Sequence, residues 1–172
     1  MEAAEEMASA QPTQSPSEFL FAPLTHDDLP FLLEVRNECR AFLHDDRMFT
    51  LTACEAWFRE TKPDFRVIRW NGERIGYFRL SKHDPQHASI YVGADLHRRF
   101  RGRGLARLAY EAFLPLLRDT YRVSEVKLEV LSHNTVAYAL YRKLGFVETE
   151  RRQGFAVRNG APVDSIVMMM RL

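Results

Sequence analysis

The chain has 172 residues, a length that suits one domain with a sizeable core. Hydrophobic residues make up 46% and charged residues 27%, as is typical of a soluble globular protein. With 24 basic and 23 acidic residues the net charge is +1, which argues against a general nucleic-acid coat protein and makes any basic cluster a local feature.

The N-terminal segment 1–17 is rich in Ala, Ser, Pro, Gln and Glu, and we expect a disordered tail outside the fold. It has early acidic residues and no apolar segment, so it is not a secretory signal. No apolar run approaches the ~20 residues needed to cross a bilayer. Cys39 and Cys54 form no C-x-x-C pair and no zinc-type cluster, which favours two reduced thiols and no metal. We therefore expect a cytoplasmic protein without a membrane partner.

One strand and two helices are predicted at the start of the fold. The apolar run from Glu18 to Leu24 suits a first strand. Thr25 is a good N-cap with acidic residues after it, which predicts a helix from that point. Thr52 and Glu55 have capping-box spacing, so we expect a second helix to begin at Thr52.

A three-stranded segment and a helix come next. Two alternating runs, FRVIRW and RIGYFRL, flank Asn71-Gly72, which predicts a tight hairpin. A further strand is expected over 88–94. The helix after Gly104 has one apolar face, and Pro115 inside it should kink it or mark a turn.

The last third of the chain predicts a strand, a helix and a hairpin. The strand covers 125–131, and the helix begins near Asn134 and ends at Gly145. A second Asn-Gly at 159–160 predicts the final hairpin. The order βααβββαβαββ, without an internal repeat or a linker, indicates a single α/β domain with a mixed sheet over 18–172.

The stretch Arg98–Gly104 joins a strand to a helix and carries four arginines and two glycines. Unpaired amide N–H groups at a helix N-terminus favour an anion. Gly102 and Gly104 allow close approach of the backbone, and Arg99, Arg101 and Arg103 add positive charge. The stretch therefore predicts a polyphosphate site held mainly by backbone, with a solvated loop as the alternative. Neither a Walker loop nor a complete dinucleotide fingerprint is present.

Two motifs in register resemble the GCN5-related N-acetyltransferases (GNAT). RFRGRG at 99–104 resembles the family's R/Q-x-x-G-x-G/A signature, and NTVAYALYRKLGF resembles its second signature at Asn134, Ala137, Tyr141, Lys143, Gly145 and Phe146. The resemblance runs from about Glu18 to the C-terminus and is strongest over 88–146. It implies a GNAT fold with a splayed central sheet and acetyl-CoA as co-substrate, its pyrophosphate in the 99–104 loop.

The resemblance also implies roles on the second motif and on the strand before the loop. Asn134 and Tyr141 are two helical turns apart, so both can face one ligand. Asn134 is then the hydrogen-bond partner of the pantetheine arm, and Tyr141 protonates the leaving thiolate; the alternative is a core tyrosine. Val92 and Ala94 are the expected backbone partners of the pantetheine amides where the strand splays.

Glu129 is the candidate general base. The LEV at 128–130 resembles a strand of the ribosomal-protein alanine N-acetyltransferases, in which the matching glutamate is regarded as the base. The alternative is a solvated glutamate paired with Lys127 or a neighbouring strand. Many family members carry an acidic residue on the strand before this one. Here that strand, predicted over 88–94, offers only Ser89 and Tyr91 in its place. We interpret the residues just upstream as ordinary loop residues that could instead face the acceptor: His83, Asp84 and His87.

The amine acceptor is expected to be a small molecule. The segments RNECRAFLHDDRMFT and RRQGFAVRNG carry mixed charge, which by default indicates a solvated surface. A weak resemblance to N-acetyltransferases of nucleotide-linked amino sugars would place pocket arginines on nucleotide phosphates. A protein N-terminal N-acetyltransferase and a non-catalytic acetyl-CoA-binding regulatory module are the alternatives. No nucleic-acid partner is expected, and monomer and homodimer remain open.

Overall fold

The computed structural model describes residues 18–172, and the predicted tail at 1–17 lies outside the described residues. Within 18–172, no helix combines the length and apolar character that a membrane crossing requires. Cys39 and Cys54 are both buried free thiols.

The elements follow the predicted order βααβββαβαββ. Short 3₁₀ turns at His26–Asp28, Arg40–Phe42 and Arg98–Phe100 lie between them. The strands and helices are β1 (Phe19–Pro23), α1 (Leu29–Cys39), α2 (Leu51–Thr61), β2 (Phe65–Trp70), β3 (Glu73–Asp84), β4 (Ser89–Leu96), α3 (Leu105–Tyr121), β5 (Glu125–Leu131), α4 (Thr135–Leu144), β6 (Val147–Arg158) and β7 (Ala161–Arg171).

The strands form one sheet in the order β1-β2-β3-β4-β5-β7-β6. Neighbouring strands are antiparallel except for β4 and β5, which are parallel. These two strands pair only between Ser89–Tyr91 and Glu125–Lys127, and the rest of β4 has no partner on β5. The predicted splay is therefore confirmed, and it leaves backbone groups of β4 free from Val92 onward.

The helices pack in pairs on the two faces of the sheet. Phe78 of β3 stacks on Phe113 of α3 with ring centroids 4.2 Å apart, in the larger core that also contains Tyr141 of α4. Tyr77 points the other way and joins a smaller core with residues of α1 and α2. Because side chains alternate along a strand, β3 and β4 supply groups to both faces.

Both predicted hairpins are confirmed. Asn71 and Gly72 have φ values of 50° and 84°, and Asn159 and Gly160 have 51° and 75°. Two consecutive left-handed residues match the type I′ turn that Asn-Gly favours. The predicted bounds of the α4 helix are also confirmed, since Asn134 is its N-cap and Gly145 its C-cap.

Thr25 is an N-cap as predicted, but of a 3₁₀ turn that leads directly into α1, and the second helix begins elsewhere than predicted. Thr25 precedes the 3₁₀ turn, where its N–H and hydroxyl donate to the Asp28 carboxylate, and α1 starts at Leu29. The α2 helix starts at Leu51, because the hydroxyl of Thr50, not that of Thr52, accepts the hydrogen bond from the Ala53 N–H at 3.2 Å.

Of the two alternatives for Pro115, the turn was wrong, because α3 continues through this residue to Tyr121. Pro115 is exposed, whereas Leu114 and Leu117 of the same helix are buried. One strand boundary was also wrong. The strand predicted over 88–94 continues to Leu96 and so includes Asp95.

Candidate active site

Two cavities meet at the splayed edge of β4. The α3–α4 cavity, of about 700 Å³, lies between this edge, the loop before α3 and the α4 helix. The α1–α2 cavity, of about 560 Å³, lies on the opposite face of the sheet. Both are lined by a shared set of side chains: Phe42, Leu43, Arg79, Asp95 and Glu129. The two cavities therefore border one another at these five residues, which form the junction between them.

The loop before α3 presents open backbone to the α3–α4 cavity. Gly102 and Gly104 line it with φ values of 70° and 74°. Apart from the adjacent residues in the chain, no atom of the described residues lies within 4 Å of where a Cβ on either would be. Gly104 is the N-cap of α3 and supplies no side-chain cap to the first-turn N–H groups. These amides are therefore available to an anion.

The three predicted phosphate arginines do not point the same way. Arg101 turns inward, where its Nε donates to the Leu96 carbonyl at 2.8 Å and its Nη2 lies 3.1 Å from Cys39 Sγ. Arg99 and Arg103 are exposed and lie over the Phe100 ring, outside the cavity lining. Arg107 of α3, which the sequence did not single out, lines the cavity beside the loop.

The α4 residues of the second motif converge on the same cavity. Asn134 accepts a hydrogen bond from the Ala137 N–H through Oδ1 at 3.3 Å, so it caps the helix and still faces the cavity. Tyr141 is buried between the rings of Tyr110 and Phe146, at centroid distances of 5.8 and 5.9 Å. Burial raises the pKa of Tyr141, although the neighbouring Tyr110 hydroxyl and the charge of Arg79 oppose it. Its phenol is therefore protonated at neutral pH and can donate.

Val92 and Ala94 lie on the free part of β4 but line different cavities. Ala94 contributes to the α3–α4 cavity and Val92 to the α1–α2 cavity. Both belong to the part of the strand that has no β5 partner. The β4 backbone that is predicted to bind the pantetheine arm thus lies between the two cavities.

An ion pair between a partly exposed arginine and a buried carboxylate lies where the two cavities meet. The Nε of Arg79 on β3 lies 3.0 Å from Oδ2 of Asp95 on β4, and the Asp95 side chain is only 6% exposed. Burial alone would lower the pKa of Arg79, but Asp95 and the surrounding tyrosines raise it on balance, so the guanidinium stays charged. The expectation that this strand lacks an acid was wrong, because β4 extends beyond Ala94 to Asp95.

Glu129 also faces both cavities, with 23% of its side chain exposed. Its Oε1 lies 3.1 Å from Lys82 Nζ and 3.4 Å from Arg152 Nη2. Lys127, the alternative partner, pairs with Glu125 instead at 3.1 Å. Glu129 is therefore a carboxylate held at the junction by cations of β3 and β6.

His44 is a site residue that sequence reasoning missed. It lies between α1 and α2, lines the α1–α2 cavity, and places Nε2 3.7 Å from Oε2 of Glu129. Burial lowers the pKa of His44, and the arginines nearby add to this against the opposing effect of Glu129. Its imidazole is thus neutral at neutral pH. No motif marks the segment around it, so nothing local in the sequence identifies it.

The upstream candidates lie away from both cavities. His87 Nδ1 is 2.6 Å from Asp84 Oδ2, and His83 Nε2 is 3.2 Å from the Tyr121 carbonyl oxygen. None of the three lines either cavity. The interpretation as loop residues was wrong for His83 and Asp84, which belong to β3, whereas His87 lies in the turn that follows.

One cluster of potential metal ligands connects α1 to the loop before α3. Ligand atoms of Glu34, Glu38 and His97 lie within 4.8 Å of one another. Glu38 is also 3.3 Å from Arg98 and 3.6 Å from Arg101. With two arginines on its central carboxylate, the cluster serves to hold the loop against α1.

Comparisons with known proteins agree with this geometry. The model of the acetyltransferase (GNAT) family matches residues 29–146. The mycothiol acetyltransferase of Corynebacterium glutamicum is 35% identical over 95 residues, which cover 55% of this chain and 31% of that protein. The chain spans between 31% and 57% of the length of the curated relatives it matches.

The fold is shared with solved structures of acetyltransferases, including these two. That of yncA, a putative acetyltransferase from Salmonella typhimurium with its cofactor acetyl-CoA, has a TM-score of 0.74 at 20% identity and covers 92% of this chain and 95% of its own. The ribosomal-protein-alanine N-acetyltransferase of Brucella melitensis has a TM-score of 0.73 at 20% identity, covering 89% of this chain and 99% of its own. At this identity the likeness extends to the fold alone.

Proposed function

Because the chain belongs to the acetyltransferase (GNAT) family, we propose that it is an N-acetyltransferase that moves the acetyl group of acetyl-CoA to the primary amine of a small molecule. The observation that carries the proposal is the meeting of two cavities, one on each face of the sheet, at Arg79, Asp95 and Glu129. One cavity then receives acetyl-CoA and the other the amine.

The α3–α4 cavity fits acetyl-CoA, which supplies a reactive thioester. The open amides at Gly102 and Gly104 suit its pyrophosphate, and the unpaired backbone of β4 suits the amides of its pantetheine arm. Asn134 and Tyr141 of the second motif line the same cavity. Tyr141, protonated and buried, is placed to give its proton to the departing thiolate.

The charged residues of the junction have distinct tasks. Glu129 receives the ammonium group of the acceptor and takes part in removing its proton. The guanidinium of Arg79, fixed by Asp95, supplies a permanent positive charge where negative charge develops during transfer. Because both groups are held by ion pairs before substrate binds, little reorganisation is needed.

The α1–α2 cavity favours a compact amine with an apolar body. Aromatic side chains cover much of its wall: Phe42, Phe49, Trp57, Phe65, Tyr77 and Tyr91. Arg36, a candidate for nucleotide phosphates, instead donates to the Asp45 carbonyl at 2.8 Å and lies over Phe49. Arg47 also lines the cavity but pairs with Asp45 at 2.7 Å, and Arg40 and Asp46 do not line it. These contacts support a small acceptor more than a nucleotide-linked amino sugar, in keeping with a relative named for mycothiol.

A protein N-terminus is the second candidate acceptor, since a structural relative is named for ribosomal-protein alanine. The third candidate, a non-catalytic acetyl-CoA-binding module, is less favoured because Tyr141 and Glu129 both line the α3–α4 cavity. A peptide acceptor requires space for a chain beside Glu129, whereas a small amine requires only contact with the aromatic wall of the α1–α2 cavity.

A transfer assay separates these candidates. Full-length protein is incubated with acetyl-CoA and panels of arylalkylamines, amino sugars, polyamines, amino acids and N-terminal peptides. Released thiol and acetylated product are both quantified, the latter by mass spectrometry. We expect equimolar thiol and N-acetylated arylalkylamine, and none with the matching N,N-dimethyl amine. Acetylated peptides alone would favour the second candidate, and acetyl-CoA binding without any transfer would favour the third.

A further inference from the structure

The segment that carries His44 is fixed from several sides. Arg158 of β6 donates through Nη2 to the carbonyls of Leu43 at 3.0 Å and His44 at 3.4 Å. From α1, Arg36 donates to the Asp45 carbonyl at 2.8 Å and Asn37 to the Phe49 carbonyl at 3.0 Å. Such anchoring of a connection between helices fixes the position of the imidazole relative to the sheet.

The imidazole itself has two polar neighbours. Its Nε2 shares a hydrogen bond of 2.8 Å with the hydroxyl of Ser165 on β7, which is fully buried. The same nitrogen lies 3.7 Å from Oε2 of Glu129. A hydroxyl can donate to a neutral imidazole and accept from a protonated one, so Ser165 suits both states. Phe155 covers another side of the ring, at a centroid distance of 5.1 Å.

The charges around His44 keep it neutral until a proton arrives. Burial is the largest influence lowering its pKa, and Arg79 of β3 with Arg152 and Arg158 of β6 act in the same direction. Glu129 of β5 opposes them. Lys82 of β3 lies on the other oxygen of Glu129. Asp45, the next residue in the chain, is engaged by Arg47 at 2.7 Å.

We propose that His44 is the catalytic base that takes a proton from the ammonium group of the acceptor, with Glu129 stabilising the imidazolium that forms. The inference rests on the proposed acetyl transfer. An ammonium N–H bond breaks, its proton moves to the His44 ring, and the nitrogen keeps the electron pair. That pair forms the N–C bond as the C–S bond breaks, Tyr141 protonates the sulfur, and the amide nitrogen returns a proton to Tyr141. His44 then passes its proton to solvent.

The contacts favour His44 over Glu129 alone as the final acceptor of the proton. Oε1 of Glu129 is already engaged by two cations, Lys82 at 3.1 Å and Arg152 at 3.4 Å. A carboxylate held in this way is well suited to pair with an ammonium and then with an imidazolium. The neutral imidazole is the adjacent group with a free capacity for a proton.

Two probe amines of the same shape isolate the proton-removal step. 2-Phenylethylamine is protonated at neutral pH, whereas O-benzylhydroxylamine is neutral and has no proton to lose before attack. Their aromatic rings suit the α1–α2 cavity. The variants are His44→Gln and, as a matched control, His87→Gln, whose side chain lies outside both cavities. Acetyl-CoA affinity and Tm are measured on the same preparations.

We expect His44→Gln to lower kcat/KM for 2-phenylethylamine by about 100-fold and that for O-benzylhydroxylamine by less than about 5-fold. His87→Gln should leave both unchanged. Equal losses with the two probes would assign His44 a structural role and overturn the inference. No transfer by the wild-type protein to either probe or to any amine of the panel would contradict the proposed function instead, and this inference with it.

The pH dependence provides a second readout that needs no stable variant. For wild-type protein and 2-phenylethylamine, kcat/KM should be level at neutral pH, where His44 is neutral. It should fall as the pH drops through the pKa of His44, which lies below the ordinary histidine range. If no residue of the protein acts as a base, only the amine that is already deprotonated in solution can react. In that case kcat/KM should rise continuously with pH. A continuous rise in the wild type would overturn the inference.

Discussion

The guanidinium of Arg79 lies against Gly93, the residue opposite it on β4, so that a Cβ at position 93 would be 2.7 Å from Nη2 and 2.9 Å from Cζ. The absence of a side chain at this position therefore allows Arg79 to cross the strand and reach Asp95. The charge at the junction of the two cavities depends on this one glycine.

Gly93→Ala should displace Arg79 from Asp95 and leave a buried carboxylate without its partner. We expect a loss of about 1–3 kcal/mol in the free energy of unfolding and a fall in turnover. Denaturant unfolding of a double-mutant cycle measures the coupling. In an Arg79→Ala background, where no guanidinium is present to clash, Gly93→Ala should cost much less. An equal cost in both backgrounds would show that the glycine serves another purpose.

Gly104 should matter for affinity as well as for folding. Gly104→Val places a β-branched side chain at φ 74°, which costs about 1–2 kcal/mol, and it obstructs the amides proposed for the pyrophosphate. Gly154→Val is the matched control, because Gly154 has φ 58°, open space around it and no place in either cavity. Calorimetry should show weaker acetyl-CoA binding only in the Gly104 variant. Acetyl-pantetheine, which lacks the pyrophosphate, should be affected far less; equal effects on both ligands would remove the loop from phosphate binding.

Tyr141→Phe keeps the ring and its packing and removes the proton donor. General acid catalysis typically contributes about 10²–10⁴-fold, so kcat should fall within that range while acetyl-CoA affinity and Tm change little. Tyr138→Phe is the control, since the Tyr138 hydroxyl bonds Glu148 at 3.2 Å and lines neither cavity. Full turnover in the Tyr141 variant, with chemistry shown to be rate-limiting, would exclude Tyr141 from the reaction.

Glu129→Gln should reduce kcat/KM for the amine without weakening acetyl-CoA binding, because it removes the charge that receives the ammonium. Glu125→Gln provides the comparison, as Glu125 pairs with Lys127 and lines neither cavity. If Glu129 and His44 act on the same proton, the double variant Glu129→Gln, His44→Gln should be little worse than the more impaired single one. Fully additive losses would mean that the two residues act separately.

Local patterns were sufficient to predict most of the fold. The Asn-Gly turns, the Asn134 cap and the alternation of strands depend on neighbours in the sequence, and the structure confirms them. The helix start predicted at Thr52 and the turn predicted at Pro115 were wrong for separate reasons. Several threonines could cap the second helix, and a proline on an exposed face is tolerated when the residues beside it are buried.

The junction of the site was less predictable, because its contacts join distant parts of the chain. Arg79 reaches Asp95 only through the β3–β4 register, and Arg101 turns inward to meet Glu38 and Cys39, more than 60 residues before it. His44 is placed by Arg158 and Ser165, which lie over 110 residues away. Sequence motifs were sufficient to predict residues that line the α3–α4 cavity. The residues that line the α1–α2 cavity could be identified only from the tertiary structure.

A crystal structure of the protein with CoA tests the central claim most directly, because it locates the phosphates and the sulfur. The account predicts the pyrophosphate on the amides around Gly102 and Gly104, the pantetheine arm along the unpaired backbone of β4, and the sulfur beside Tyr141 where the two cavities meet. CoA bound outside the α3–α4 cavity, or with its sulfur remote from Tyr141 and Glu129, would contradict it.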